Sequence, residues 1–255
     1  MGILGGMRPV QSPKVTIVFP AHNEVDDLER AIEETEDYLF GINQDFEIII
    51  AEDGSKDGTG EIARRIADSN RFVKLMHHEE RLGRGRALSE AFRESEGLIL
   101  VYMDVDLSTE IRYLEPLIGA ITEGYDVATG SRTHPRSRVH RSLTRTISSL
   151  IYNSLVRLLL GSNIKDHQCG FKAFNRESLF KLLDKVNAKH WFWDTEILVL
   201  AQLMRLRIKV IPIIWREGPK TKVNLVKDFF EMGNQLLRLY WRINIKKGHE
   251  NKHSV

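Results

Sequence analysis

Apolar residues in the first hundred positions gather into short, nearly continuous runs: VTIVF at 15–19, FEIIIA at 46–51, a shorter run at 72–76 and LILVYM at 98–103. Runs of this length and composition read as strands buried on both faces. The segments 25–40 and 60–68, and a third ending at Glu96, read as helices between them. Strand and helix alternate throughout, which predicts an α/β fold with a central, mostly parallel sheet flanked by helices. The second half is less regular. There 110–123 reads as a helix, 126–130 and 171–174 as short strands, and 208–215 as a strand that Pro212 places at a sheet edge. Leu143, Ile147, Leu150, Ile151, Leu155, Leu158 and Leu159 fall at helical spacing, with Ser148, Ser149, Asn153 and Arg157 off the stripe. A further helix opens near Trp191. A long final one carries Val226, Phe229, Phe230, Gly233, Leu237 and Tyr240 as its stripe.

The expected organisation is a flexible tail over 1–13, one domain over 14–222, an amphipathic helix over 223–245 and a disordered polar tail over 246–255. No N-terminal segment has the build of a signal peptide, and no apolar run reaches the ~18–20 residues of a membrane span. The single cysteine, Cys169, excludes an internal disulfide and fits a reducing compartment. The net charge of +2 conceals an uneven distribution. The stretch 127–165 has no Asp or Glu but holds Arg132, Arg136, Arg138, Arg141, Arg145, Arg157 and Lys165. Such a block attracts a phosphate ligand or an anionic surface.

The stretch LILVYMDVDLST ends in two carboxylates, Asp104 and Asp106. On extended chain, residues i and i+2 point to one side, about 6.6 Å apart. At the carboxyl end of a central strand they face the crevice where open α/β sheets bind ligands. Two hard oxygen donors there suit Mg²⁺ or Mn²⁺ bridging to a diphosphate; acidic residues ending a strand at the surface are the plainer alternative. After the first strand, Pro20 stops the ladder and Asn23 is placed to cap the next helix. After the second comes EDGSKDGT, in which Asp53 can accept hydrogen bonds from a base or ribose. Gly54 and Ser55 let backbone N–H groups approach. Turn chemistry explains either motif alone; both, followed by DVD, favour a nucleotide site. RLGRGR lacks the spacing of a dinucleotide fingerprint. Gly83, Arg84 and Gly85 are either a nucleotide-contacting loop or a solvated basic turn.

PAHNE, EDGSKDGT, RLGRGRAL, MDVDLST, GSR, DHQCGFKAF and WFWDTEILVLAQ occur in this order over about residues 14–240. Together they resemble the inverting family 2 glycosyltransferases of the GT-A fold. The branch they look most like charges a polyprenyl phosphate: the dolichyl-phosphate β-glucosyltransferases, with dolichyl-phosphate mannose synthases as near relatives. The resemblance implies transfer of glucose from UDP-glucose, with inversion, to dolichyl or polyprenyl phosphate. GDP-mannose as donor, or a soluble sugar as acceptor, are the alternatives within the family. It implies Mg²⁺ or Mn²⁺ as cofactor on Asp104 and Asp106, with Asp106 the more direct ligand. It implies a nucleotide-sugar site of Pro20, Ala21, Asn23, Glu24, Asp53, Gly54, Ser55, Gly83, Arg84, Asp104, Val105 and Ser108. Mannose synthases tend to carry glutamine where this chain has Ser108, and the usual lysine of the third-strand loop is here Arg84.

The resemblance also sets Arg132 against the acceptor phosphate, which arginine binds bidentately, with Arg216 as a second candidate. A structural ion pair at a strand end is the other reading of Arg132. Asp194 stands where many inverting relatives place the general base. A phosphate monoester, with a second pKa of about 6, is already largely ionised at pH 7. Asp194 is therefore read as a base, as an orienting group, or as a helix cap.

A lipid acceptor requires a membrane surface. The helix Leu143–Leu160 follows the arginine cluster, and Tyr240 and Trp241 lie near Arg238 and Arg242 on the last helix. Interfacial helices combine apolar, basic and aromatic residues in this way; core packing is the alternative for both. The expected location is cytoplasmic and peripheral, on the cytoplasmic face of a membrane, and any multi-pass membrane partner would be a separate protein. Outside catalysis, the readings are a nucleotide-sugar sensor and a nucleic-acid-binding module. No nucleic acid is expected, because no recognised motif is present and an apolar stripe interrupts the arginines.

Overall fold

The computed structural model describes residues 14–218 and 225–250; the tail expected over 1–13 and the last residues of the tail expected over 246–255 lie outside them. The first-half runs form β1 (Val15–Ala21), β2 (Phe46–Asp53), β3 (Val73–His78) and β4 (Ile99–Met103), joined through α1 (Leu28–Gly41), α2 (Thr59–Ser69) and α3 (Arg84–Glu94). After α4 (Leu114–Thr122), β5 (Val127–Ser131) and β8 (Ile208–Pro212) pair in parallel, and β7 (Phe171–Asn175) runs antiparallel between β4 and β5. The order is β3-β2-β1-β4-β7-β5-β8. β4 is thus the middle strand and β8 an edge, where Pro212 is tolerated.

Alternation divides the core. Ile17, Phe19, Ile48 and Ile50 pack with α1, α2 and α4, while Val18, Ile49 and Leu100 pack with α3 and the later helices. Each such side chain contributes about 1.5–3 kcal/mol when fully buried. With helices on both faces no strand position needs to be polar, hence the unbroken apolar runs.

Local structure departs from the sequence reading at several points. Pairing from β1 to β4 ends at Val18, but pairing to β2 continues past Pro20 to Ala21. Asn23 does not cap α1, which begins at Leu28; it takes a left-handed φ of 57°, and its Oδ1 accepts from the Lys56 amide at 2.9 Å. Asp104 and Asp106 are not on extended chain. The Leu107 amide donates back to the Asp104 carbonyl, closing a turn with Leu107 at φ 49°. The 110–123 segment opens with a 3₁₀ turn at Ile111–Tyr113 before α4. The 208–215 run divides at Ile213, whose backbone bonds to Ser137 Oγ and the Arg138 amide. Beyond it β9 (Ile214–Arg216) pairs with β6 (Arg138–His140) in a separate two-stranded sheet. The short α6 (Arg176–Leu183), whose cap Asn175 accepts from the Ser178 amide, follows β7 directly.

α5 (Leu143–Leu160) is inverted relative to an ordinary surface helix. Its buried residues are Ser149, Tyr152, Asn153 and Val156, while Leu143 and Leu158 are 80% exposed. Ile147, Leu150 and Ile151 are also exposed. Hydrogen bonds hold the polar face inward. Asn153 Oδ1 accepts from the His167 amide at 2.9 Å, and the Tyr152 hydroxyl lies 2.7 Å from Thr195 Oγ1 on α7 (Trp193–Leu203). α8 (Leu225–Glu250) packs against α5. Its buried residues include Met232, Leu236 and Leu239, whereas Leu237, Trp241 and Ile245 point outward. The inward stripe is therefore not the one expected; the side chains of Val226, Phe229 and Phe230 lie outside the described residues. α8 runs past Lys246, where a disordered tail was expected, to Glu250. Among the described residues, no helix is long and apolar enough to cross a membrane.

Candidate active site

Loops following β1, β2, β4 and β5 meet at the carboxyl edge of the sheet around a cavity of about 540 Å³. Pro20, Ala21, Asn23, Glu24, Asp53, Arg84, Asp104, Val105, Asp106, Ser108, Arg132 and Asp194 all line it. Gly54, Ser55 and Gly83 shape it at one remove. Ser55 Oγ accepts from the Asn23 amide at 2.9 Å. Gly54, at φ +64°, lets the β3–α3 loop cross, since a Cβ there would fall 2.7 Å from the Arg81 amide nitrogen. Asp53 grips the same loop, accepting from the Leu82 and Gly83 amides at 2.6 and 3.0 Å. Arg216 is not brought to the cavity: β9 has left the main sheet, and the Arg216 side chain is 67% exposed and paired with Glu110.

Asp104 and Asp106 share the turn after β4. Gly170 makes room for Asp104, because a Cβ would lie 1.8 Å from Oδ2. Asp104 accepts from Arg84 Nη2 at 2.7 Å, and Asp106 from the Ser108 amide and hydroxyl at 3.0 and 2.7 Å. Burial raises the Asp106 carboxyl, the Asp104 charge raises it further, and the Ser108 hydrogen bonds oppose both only in part. A hard cation relieves such a pair. Mg²⁺ commonly takes one or two carboxylates and completes its shell with phosphate oxygens and water. No group of three or more His, Cys, Asp or Glu side chains that could hold a metal occurs among the described residues. The two carboxylates are donors that fit a hard cation whose remaining ligands come from outside the protein.

Asp194 does not cap α7, which Phe192 precedes. Its buried carboxylate accepts from Arg84 Nη1 at 2.7 Å through Oδ2, and from Lys172 Nζ at 2.6 Å and the Tyr102 hydroxyl through Oδ1. Lys172 is fully buried on β7, opposite Tyr102. Burial pushes the Asp194 carboxyl up to about 6, against the pull of Arg84, and pushes the Lys172 ammonium down. Lys172 is not among the site residues expected from sequence. Its signal is a lone charge in the buried strand FKAF, since a buried lysine needs a counter-charge.

Arg132 turns onto Asp166, which accepts from its Nε and Nη2 at 2.9 and 2.7 Å. Burial alone would lower the Arg132 guanidinium, but Asp166 more than offsets it; Asp166, raised by burial, is drawn down to about 2 by Arg132. Arg132 is thus both a structural ion pair and part of the cavity wall. Arg141 and Arg145, counted from sequence only within the basic block, also line the wall. Arg132 and Arg141 lie over the Trp215 ring at 5.6 and 5.5 Å. Arg141 Nε is buried without a hydrogen-bond partner, and burial together with Arg132 lowers its pKa to about 10. Arg145 pairs with Glu217. Three arginines share two carboxylates, so this part of the cavity carries excess positive charge.

Residues 16–183, from β1 through α6, match the family described as Glycosyl transferase family 2. The chain belongs to that family. Among its relatives, the glycosyltransferase AglD of Haloferax volcanii is 45% identical over 236 residues, covering 91% of this chain and 38% of that protein. The chain therefore spans well under half the length of that relative. The dolichyl-phosphate beta-glucosyltransferases of Saccharomyces cerevisiae and Homo sapiens are 30% and 28% identical; each alignment covers 88% of this chain, and 73% and 74% of the respective relative. Among solved structures, the glucosyl-3-phosphoglycerate synthase of Mycobacterium tuberculosis in complex with UDP superimposes with a TM-score of 0.65 at 22% identity, over 89% of this chain and 79% of that one. This likeness shows the fold, which is GT-A.

Proposed function

We propose that this family 2 protein transfers glucose from UDP-glucose, with inversion, to dolichyl or polyprenyl phosphate, giving a β-linked lipid-phosphate sugar. The observation that carries the reading is the composition of one cavity. It holds a cation-fitting carboxylate turn, an arginine excess, and residues Ser148, Ser149 and Tyr152 of a helix whose other face is apolar and exposed. The names of the yeast and human relatives support the sugar and the acceptor. Pro20, Ala21, Asn23, Glu24 and Asp53 hold the nucleoside, with Val105 and Ser108 beside the donor. Asp104 and Asp106 hold Mg²⁺ or Mn²⁺, which supplies charge neutralisation to the departing diphosphate when bound. Arg132, Arg141 and Arg145 bind the acceptor phosphate and fix one of its oxygens in line with the anomeric carbon. That oxygen bonds to the carbon as the bond to the diphosphate breaks. With a second pKa of about 6 the phosphate needs no base at pH 7.

The same reading lays the outer faces of α5 and α8 on a membrane. Exposed Arg136 and Arg138 precede exposed Leu143 and Ile147, a combination suited to an anionic surface, here the cytoplasmic face. The test is transfer of label from UDP-glucose to dolichyl phosphate in the presence of Mg²⁺ or Mn²⁺. Label is expected in the organic phase, and Asp106→Ala is expected to abolish transfer while leaving the fold intact. Label from GDP-mannose alone would reassign the sugar, and normal turnover by the variant would reject the metal assignment.

A further inference from the structure

A phosphate acceptor, largely ionised at pH 7, does not need Asp194 as a base, yet the fold commits Lys172, Tyr102 and Arg84 to its carboxylate. Lys172, Asp194, Arg84 and Asp104 form a chain of alternating charge from the sheet interior to the cavity wall. The inner end is fixed. Lys172 Nζ donates to the carbonyls of Cys169 and His167 at 2.6 and 3.2 Å and to the Tyr102 hydroxyl at 3.0 Å. Lys172 does not line the cavity. The outer end is Arg84. Its guanidinium lies over Tyr102 at 5.0 Å and over Trp191 at 5.3 Å, and Asp194 holds one of its edges. A guanidinium has five N–H donors, and the edge now on Asp104 faces the region assigned to the diphosphate.

We propose that Lys172 is a positioning residue: it fixes Asp194 as the anchor of Arg84, and Asp194 acts through Arg84 on the donor diphosphate instead of taking a proton from the acceptor. The proposal rests on the nucleotide-sugar reading of the cavity. Three donors converge on the Asp194 carboxylate, which suits an anchor better than a proton acceptor. An arginine already held along one edge loses less freedom when it binds phosphate. Removing the anchor should therefore appear as lost donor affinity.

The test is a thermodynamic cycle on nucleotide binding. Titration calorimetry with UDP and with GDP, in EDTA and again with Mn²⁺, is run on the wild type, Lys172→Met, Arg84→Met and the double variant. Lys172→Met is expected to weaken UDP binding about tenfold when Arg84 is present and to have no effect in the Arg84→Met background, because coupled residues are not additive. Equal weakening in both backgrounds, or none, overturns the proposal. Lys172→Met leaves a buried carboxylate short of a counter-charge, so Asp194→Asn is carried through the same cycle and the same pattern is expected. Unchanged UDP affinity in Asp194→Asn, with the loss confined to turnover, would restore Asp194 as the base. A wild type that binds neither UDP nor GDP, in EDTA or with Mn²⁺ present, would instead overturn the nucleotide-sugar reading itself.

Discussion

His167 shows how one buried side chain ties the site to acidity. Its ring nitrogens lie 2.7 Å from Asn153 Oδ1 and 2.8 Å from Ser162 Oγ. Burial lowers its pKa from 6.5 to about 4. Between those values the unfolded chain binds the proton more readily than the folded one. Stability gained by keeping the ring neutral is therefore complete above pH 6.5 and is lost as the pH falls toward 4. Asp166, drawn from 3.8 down to about 2, behaves in the same sense but loses its contribution only below this window. Urea unfolding at pH 7.5 and pH 5 should differ by about 2 kcal/mol on account of His167, at 1.36 kcal/mol per pKa unit. His167→Gln should remove that part of the slope, and parallel losses in both proteins would show that the ring is not held neutral.

At the scale of elements, α5 decides how the protein meets a lipid acceptor. Its polar face is anchored by Asn153 and Tyr152, and its apolar face has no protein cover among the described residues. Ile147→Glu with Leu158→Glu should leave unfolding free energy within about 0.5 kcal/mol, as for other exposed positions. The same pair should cut sedimentation with anionic liposomes at low salt by an order of magnitude or more. Asn153→Leu should do the reverse, costing about 1–3 kcal/mol by leaving buried His167 donors unsatisfied. Unchanged liposome binding by the Glu pair would mean that another surface carries the contact.

For the whole molecule, the site is assembled from loops that only the folded sheet brings together, so its ligands must stabilise the fold. A ligand at a hundred times its Kd adds about 2.7 kcal/mol. For a chain of this size that corresponds to a rise in Tm of roughly 5–10 °C. UDP with Mn²⁺ should produce such a rise, EDTA should remove part of it, and Asp106→Ala should lack the EDTA-sensitive part. A rise indifferent to EDTA would separate nucleotide binding from the carboxylate turn.

The alternation of strand and helix was legible because apolar periodicity is a local property. So was the placing of Asp53, Asp104 and Asp106 at the carboxyl ends of strands, since each follows the run that positions it, whereas the turn that holds Asp104 and Asp106 was not. The sequence also contained the apolar stripe of α5, but periodicity says which residues share a face and not where that face points. Tertiary partners decided it: Asn153 turns inward to His167, 14 residues away, and Tyr152 to Thr195, 43 away. The ion chain behind the cavity lay further beyond reach. The antiparallel β7 carries Lys172 to Tyr102 across 70 residues, and Arg84 meets Asp194 across 110. Charges that far apart leave no mark on their neighbours in sequence. Their pairing, and with it the division of roles among Arg84, Arg132 and Asp194, was decided only when the sheet set them side by side.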